Sequence, residues 1–555
     1  MCGIAGILNL LEPKPIPSER ITRMLGAQIH RGPDESGVYL DDWIHLGHNR
    51  LSIIDLAGGT QPIHNEDQRL WIIYNGEVFN YIELRQDLIK RGHQFYTATD
   101  TEVILHLFEE QGPSCLELLN GQFAIAVWNS EAKELFLARD RMGIRPIHYT
   151  IAGDTLIFAS EIKAIFASRL VEPDMDPITI DQIFTLWTTL PGWSAFKGIQ
   201  EIPPGHFAWV SRGRVSLEKY WELPFSSVEQ QLDWPVTKFC KKTRELLLDS
   251  TSIRLRADVP VGAYLSGGLD SSGVTTLIKN NFDNSLRTFG IRFEETAFDE
   301  GEHQERMVQW IKTQHTSLTA ENANIGESFA EVLWHCEKPL LRTGPVPLFL
   351  LSRVVRDSGL KVVLTGEGAD EVFAGYNIFR ETKVRAFWAR RPESRLRPLL
   401  LGKLYPYVFR DKRLRATLQS FFGCGLNEVG DPFFSHRIRW ENTRKARVFF
   451  SGDLERESQK SDVWGEIYRS LPGGFGDWDP LSKAQYLEMT IFLSNYLLSS
   501  QGDRVAMAHS VEIRLPYLDY RLIEFMGRVP PKWKMPGLNE KFLLKKTFKG
   551  DLPKS

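Results

Sequence analysis

Twice in its second half this chain sends an apolar strand into a glycine turn and straight on into a helix-forming run. Val259 to Leu265 leads into Ser266-Gly267-Gly268 and then Val274-Thr275-Thr276-Leu277-Ile278. Lys361-Val362-Val363-Leu364 leads into Thr365-Gly366-Glu367-Gly368 and then Val372-Phe373-Ala374. A strand followed by a crossover helix pairs in parallel with its neighbours, so the repeat predicts a parallel sheet flanked by helices. Ligands of such sheets bind beyond the carboxyl ends of the strands, where both glycine turns fall.

The first 215 residues follow another rhythm. Short strand-like runs such as Trp71-Ile72-Ile73-Tyr74, Phe123 to Trp128, Glu134 to Ala138 and Thr155 to Phe158 are broken by turns, with a helical stretch from Thr101 to Gln111. That pattern predicts an α+β layered domain with antiparallel sheets. A chain of 555 residues exceeds one ordinary core. The expected division is 1–215, a linker at 216–234 carrying Pro224 and a loose polar run, and a second domain at 235–555.

Composition narrows the function classes. With 42% hydrophobic residues, 25% charged residues and a net charge of −3, nothing global points to nucleic acid or a membrane surface. Ile4 to Leu11 is short, glycine-broken and lacks a preceding basic residue, so it does not read as a secretory signal. No run approaches the roughly 18–20 apolar residues of a membrane span. Five scattered cysteines without C-x-x-C spacing argue for a reducing cytoplasm and against a disulfide frame or structural zinc. The basic stretch from Arg380 to Arg415, with Trp388, Tyr405, Tyr407 and Phe409, reads as a solvated helical face, because no nucleic-acid recognition motif accompanies it.

Cys2 follows the initiator methionine. Once that residue is trimmed, thiol and α-amine share one carbon, and an amine titrating near ~7.7–8.0 can take the thiol proton. Behind it come His30-Arg31-Gly32-Pro33-Asp34, His48-Asn49-Arg50-Leu51-Ser52-Ile53-Ile54-Asp55, Tyr74-Asn75-Gly76-Glu77-Val78-Phe79-Asn80 and Thr99-Asp100-Thr101-Glu102. Alone, the first is a turn, Asn-Gly a hairpin, and Thr-Asp-Thr-Glu a helix cap. In this joint order behind Cys2 the chain resembles the class II glutamine amidotransferases of the N-terminal nucleophile superfamily. The resemblance implies that Cys2 attacks the glutamine amide, with Asn75 and the Gly76 N–H stabilising the oxyanion. Arg50 would take the α-carboxylate, Glu77 and Asp100 the ammonium group, and Leu51, Ile53 and Ile54 would line the pocket. Arg31 would organise the loop near Cys2.

Ser266-Gly267-Gly268-Leu269-Asp270-Ser271-Ser272, between a strand and a helix, suits a phosphate held by backbone N–H groups and hydroxyls. It fits neither G-x-x-x-x-G-K-[ST] nor G-x-G-x-x-G, and resembles the pyrophosphate loop of ATP pyrophosphatases. Thr365-Gly366-Glu367-Gly368-Ala369-Asp370-Glu371, Asp503 to Asp519 and Asn539-Glu540-Lys541-Phe542-Leu543-Leu544-Lys545 resemble segments of the asparagine synthetases. By that resemblance ATP contacts Leu265, Ser266, Gly267, Gly268, Asp270, Ser271, Ile291, Thr365 and Gly366. Asp270 and Asp370 would hold Mg²⁺, Glu367 would support adenylation or deprotonate ammonia, and Lys541 would neutralise charge. Arg342 would grip pyrophosphate or a substrate carboxylate, and the Asp503 to Asp519 stretch would lie beside the substrate and an ammonia channel.

The fold expected is therefore an α+β N-terminal nucleophile sandwich followed by an α/β parallel-sheet ATP-pyrophosphatase domain. Because relatives of this layout usually continue beyond Leu552-Pro553-Lys554-Ser555, the second domain is expected to be foreshortened. The implied reaction is cytoplasmic conversion of aspartate to asparagine with ATP and glutamine, without nucleic acid or membrane, and with a homodimer left open. Two alternatives stand beside it. One is the same architecture acting on another carboxylate in cell-envelope or secondary metabolism. The other is a non-catalytic sensor or scaffold, against which Cys2, Asp270 and Glu367 all speak.

Overall fold

The computed structural model describes residues 2–553 except 283, 284, 296–298 and 410, with the side chains at 228, 407, 408 and 412 also outside it. Met1, Lys554, Ser555 and the Tyr407 side chain thus lie outside the described residues.

Two six-stranded antiparallel sheets make the first half. In one, Gly3–Asn9 lies between Ile44–Arg50 and Thr155–Ala159; in the other, Leu70–Val78 pairs with Gly121–Asn129. Alternation along these strands feeds two cores at once. Ile4 and Leu8 face the second sheet through Ile73, Ala124, Ala126 and Trp128, while Ala5 and Ile7 face helices through Ile21, Met24 and Ile165. The far side of the second sheet, with Ile72, Tyr74 and Ile125, packs on Val103, Ile104 and Leu107 of the helix Asp100–Gln111. Helix, sheet, sheet and helix form four layers. Strands buried on both faces read as near-continuous apolar runs, which is why Phe123 to Trp128 stood out in the sequence. The strand Arg214–Lys219 carries the second sheet past residue 215, into the stretch read as linker; its side chains are mostly exposed, so no apolar pattern marked it.

The second half holds a five-stranded parallel sheet in the order Gln314–Ala320, Arg287–Phe293, Val261–Tyr264, Val362–Leu364, Glu512–Arg514. From Val261–Tyr264 the chain builds outward on one side and then returns to the other. The switch in strand order therefore lies between Val261–Tyr264 and Val362–Leu364, and it opens a crevice between their carboxyl ends. A π-helical stretch spans Glu488–Leu497 and Ser499–Asp503 beside that crevice. Such under-wound, widened turns are rare and recur at functional sites.

The basic 380–415 stretch is not a uniformly solvated face. Arg385 is buried and donates to the carbonyls of Phe422, Phe434 and Cys424, and Trp388 joins a small core with Leu401, Leu404 and Phe422. Its exposed arginines (390, 391, 395 and 413) are the part the solvated-face expectation describes.

No helix among the described residues is long and apolar enough to cross a membrane.

Candidate active sites

Cys2 is buried at the head of the Gly3–Asn9 strand, and its backbone N donates to Asn75 Oδ1 at 3.0 Å. The other end of the same amide, Asn75 Nδ2, is buried with no hydrogen-bond partner. A buried N–H without an acceptor costs roughly 1–3 kcal/mol, so Nδ2 is poised for an oxygen arriving at Cys2. Beside it the Gly76 backbone runs against the next strand. A Cβ there would sit 2.2 Å from the Gln122 carbonyl oxygen, so only glycine allows the approach.

Arg50, Leu51, Ile53, Ile54, Gly76, Glu77 and Asp100 line a small pocket with Cys2. Gln61, Tyr74, Thr99 and Thr101 also line it, and the sequence reading did not assign them a role. Arg50 is held by Glu35 at 2.9 Å and by the carbonyls of Ile54 and Asp55. Thr99 serves its ordinary role too, capping the helix Asp100–Gln111 by accepting from the Glu102 N–H. The cap reading of Thr99 is therefore correct as structure, whereas the hairpin reading of Asn75-Gly76 is not: both lie inside the Leu70–Val78 strand, paired with Ala124 and Phe123.

Carboxylates outnumber cations at the pocket's inner end. Burial pushes Asp100 up to about 6, against hydrogen bonds from the Val78 N–H and the Tyr74 hydroxyl. Burial and then the charges of Glu512 and Asp100 hold Glu77 well above the ordinary carboxylate range. Arg514 is the guanidinium among them, 2.5 Å from Glu512 and 3.6 Å from Glu77. Glu77 Oε2 has no hydrogen-bond partner. Such a cluster is receptive to an ammonium group. Burial also pushes the Cys2 thiol up, while the chain's amino terminus, the Leu51 backbone and Arg50 pull it down.

The crevice of the parallel sheet holds a second, larger cavity of about 960 Å³. Leu265, Ser266, Asp270, Ser271, Ile291, Thr365, Gly366, Glu367, Asp370 and Arg342 all line it. Ser271 Oγ lies 3.0 Å from Ser266 Oγ and accepts from the Ser266 N–H at 3.1 Å, which draws the loop around the start of the helix Leu269–Asn281. Gly267 and Gly268 do not line the cavity; Gly267 makes the turn, at φ +85° and with the Gln304 N 2.5 Å from where a Cβ would stand.

Lys541 reaches the crevice from a segment 271 residues away. Its Nζ lies 2.5 Å from Asp270 and 2.7 Å from Asp370. The Lys541 backbone is left-handed at φ +50°, a conformation costing on the order of 1 kcal/mol or more for a residue with a Cβ. Asp270 Oδ1 is buried without a hydrogen-bond partner, and burial pushes this carboxyl up to about 6 against the pull of Lys541. An orphaned carboxylate oxygen facing a second aspartate suits a hard divalent cation. Burial, followed by the charges of Asp370 and Asp270, raises Glu367 to about 7. Arg342 is stacked over Trp187, Phe492 and Tyr496 and donates to the Tyr496 hydroxyl at 3.2 Å, so its charge is held in place by an aromatic box.

The two sites are joined through protein. A smaller cavity continues from Thr365, Glu367 and Gln501 to Gly502, Val505, Ala506 and Ile513. The Ile513 carbonyl accepts from Gln122 at 2.9 Å and from Arg145 at 3.1 Å, and Gln122 abuts Gly76. The Asp503 to Asp519 segment thus lies at the seam between the halves, with Tyr517 donating to the Asp270 carbonyl. Gln501, Gln122 and Arg145 had no signal in the sequence, because each stands outside any recognisable motif.

Both parts of the chain have counterparts among known proteins. Residues 1–221 match the glutamine amidotransferase domain family and residues 242–555 the asparagine synthase family. The chain is 30% identical to asparagine synthetase [glutamine-hydrolyzing] 1 of Bacillus subtilis and 31% identical to its asparagine synthetase 3, each match spanning 100% of this chain and 85% of the relative. It is also 30% identical to amidase chyE of Penicillium rubens, over 94% of this chain and 80% of that protein.

Proposed function

The chain belongs to the asparagine synthase family of glutamine-hydrolysing ligases, and on that premise we propose that it converts aspartate to asparagine. The observation that carries the reading is the pairing of two half-satisfied sites across one seam: Asn75 Nδ2 free beside Cys2, and Asp270 Oδ1 free beside Lys541 and Glu367.

In the first site the Cys2 thiol attacks the glutamine amide carbon, and the Cys2 amine takes its proton and delivers it to the departing nitrogen. Asn75 Oδ1 holds that amine while Nδ2, with the Gly76 N–H, receives the oxyanion. Arg50 pairs the α-carboxylate, and Glu77 with Asp100 takes the α-ammonium. Water then releases glutamate from the thioester.

In the second site the side-chain carboxylate of aspartate attacks the α-phosphorus of ATP, and pyrophosphate leaves. The Ser266–Ser271 loop and its helix N-terminus cradle the phosphates. Lys541 balances the charge that builds as the acyl-adenylate forms. Asp270 and Asp370 would hold Mg²⁺, which would neutralise phosphate charge when bound. Glu367, poised near neutrality, accepts a proton from the nitrogen as ammonia displaces AMP. The cavity from Gly502 to Ile513 supports an enclosed passage for ammonia, which in water would be protonated and lost as a nucleophile.

The likeness to amidase chyE favours a second reading in which the acceptor is another carboxylate. One experiment separates the two. With ATP, Mg²⁺ and glutamine, aspartate labelled with ¹⁸O in its side chain should give asparagine, and labelled AMP in place of ADP. Formation of ADP would overturn adenylation. AMP formed only with other acids would keep the mechanism and replace the acceptor.

A further inference from the structure

Away from both sites, on the far side of the helix Asp100–Gln111, four side chains converge from three segments. His106 and Glu109 project from that helix, His93 from the turn just after the helix Tyr81–Arg91, and Glu66 from the loop before the Leu70–Val78 strand. One atom from each lies within 4.8 Å of all the others. His106 Nδ1 is 3.6 Å from both Glu66 Oε2 and Glu109 Oε2, and His93 Nδ1 is 3.6 Å from Glu66 Oε1 and 3.9 Å from Glu109 Oε2. We infer that these four residues form a structural site for a borderline divalent cation of the Zn²⁺ type, bound by His93, His106, Glu66 and Glu109.

The distances separate this from a cluster of ion pairs. Charged hydrogen bonds close to about 2.7–2.9 Å. Four tetrahedral ligands on bonds of about 2.0–2.2 Å would instead stand roughly 3.4 Å apart, and that is nearer the spacing seen. His106 supplies the independent sign. Its side chain is 1% exposed, yet neither ring nitrogen has a hydrogen-bond partner. Glu109 Oε2, aimed at the same point, is equally without one.

The surroundings are those of a ligand set. Asn65 donates to Glu109 Oε1 at 2.9 Å and leaves Oε2 inward. The Gln94 N–H holds Glu66 at 3.1 Å. On the outer side His93 Nε2 is hydrogen-bonded to Glu110 at 3.0 Å, while His106 Nε2 lies 3.6 Å from Glu102, too far for a hydrogen bond. Carboxylates behind ligating histidines fix the tautomer and raise ligand basicity. Two neutral imidazoles and two carboxylates would leave a neutral centre with a dication. Glu66, the most exposed of the four, gives an entry side. The scarcity of paired cysteines in the sequence bears only on thiolate sites and leaves a histidine–carboxylate site untouched.

Such an ion would clamp the His93 turn and the Glu66 loop onto the helix whose first residue is Asp100, in the pocket of Cys2. Its role would be structural, since every proposed ligand is a protein side chain.

The test uses the full chain without a polyhistidine tag. Elemental analysis after dialysis should find close to one zinc per chain. Chelator-treated protein should gain thermal stability on adding Zn²⁺, and Co²⁺ should give the visible bands of a four-coordinate centre. Glu66→Gln, a surface change, and His93→Gln should each weaken Zn²⁺ binding at least tenfold while leaving the circular dichroism spectrum intact. Absence of zinc together with no stabilisation by Zn²⁺ or Co²⁺ would overturn the site. So would zinc bound as tightly by both variants as by the parent.

Discussion

Arg31 and Asp503, 472 positions apart, form an ion pair with both side chains wholly buried, 2.8 Å from Nη1 to Oδ2 and with a 3.2 Å hydrogen bond from Nη2 to Oδ1. The same guanidinium donates from Nε to the Cys2 carbonyl at 3.1 Å. Asp503 also receives Arg145 at 3.0 Å, and Arg31 also binds Glu161. The Cys2 backbone is thereby anchored to the half of the molecule that holds the larger cavity. Apolar packing follows the same seam: Leu51, Ile53, Met142 and Ile144 share one cluster with Leu493, Met507 and Leu515.

Removing one partner of such a buried pair strands charge and typically costs about 3–5 kcal/mol. Asp503→Leu should therefore lower the melting temperature markedly and loosen the seam. The diagnostic readout is stoichiometry. Glutamate released per AMP formed should rise above one, because ammonia made beside Cys2 escapes. A variant that stays tightly coupled would show that the ion pair only stabilises.

Asn75 serves two groups with two atoms, and two variants separate them. Asn75→Asp keeps an oxygen for the Cys2 amine and loses the free donor; Asn75→Ala loses both. Each should cut glutamine turnover by about 10²–10³, the usual cost of one oxyanion donor. Synthesis with added ammonia should be unchanged in both. Cys2→Ala sets the floor, with glutamine-dependent synthesis abolished and the ammonia-dependent reaction intact. Glutamine hydrolysis that survived Cys2→Ala would refute the nucleophile assignment.

Glu367 gives a pH dependence with a definite sign. As proton acceptor it works ionised, so ammonia-dependent synthesis, expressed per free ammonia, should fall as pH drops through about 7. Glu367→Gln should lose most of the rate and this limb with it. Stability runs the other way. A carboxyl raised from 4.5 to about 7 stabilises the fold fully below the lower value, and the contribution is lost as pH rises through the upper one. The ligand-free protein should lose thermal stability across that window, and Glu367→Gln should flatten the loss. An unchanged profile in the variant would assign the titration to another group.

The residues proposed to carry chemistry were legible in the sequence because that chemistry demands particular types at short spacing. A phosphate loop needs small residues between strand and helix, and an oxyanion site needs a backbone that comes close, so Ser266 to Asp270 and Asn75-Gly76 announce themselves. The two classes of sheet were legible for a similar reason, since alternation and strand–turn–helix rhythm are local consequences of which face is buried. Sequence did not show that Arg31 meets Asp503, that Glu512 and Arg514 complete the carboxylate cluster beside Glu77, or that Gln501 lines both the crevice cavity and the smaller one that continues from it. Nor did it show His93 and His106 turning inward together. Each of those depends on which surfaces dock and which charges lose their water when they do. Burial is a property of the whole packed molecule. The chain determined its reactive groups locally, and tertiary structure alone decided how they are paired, coupled and enclosed.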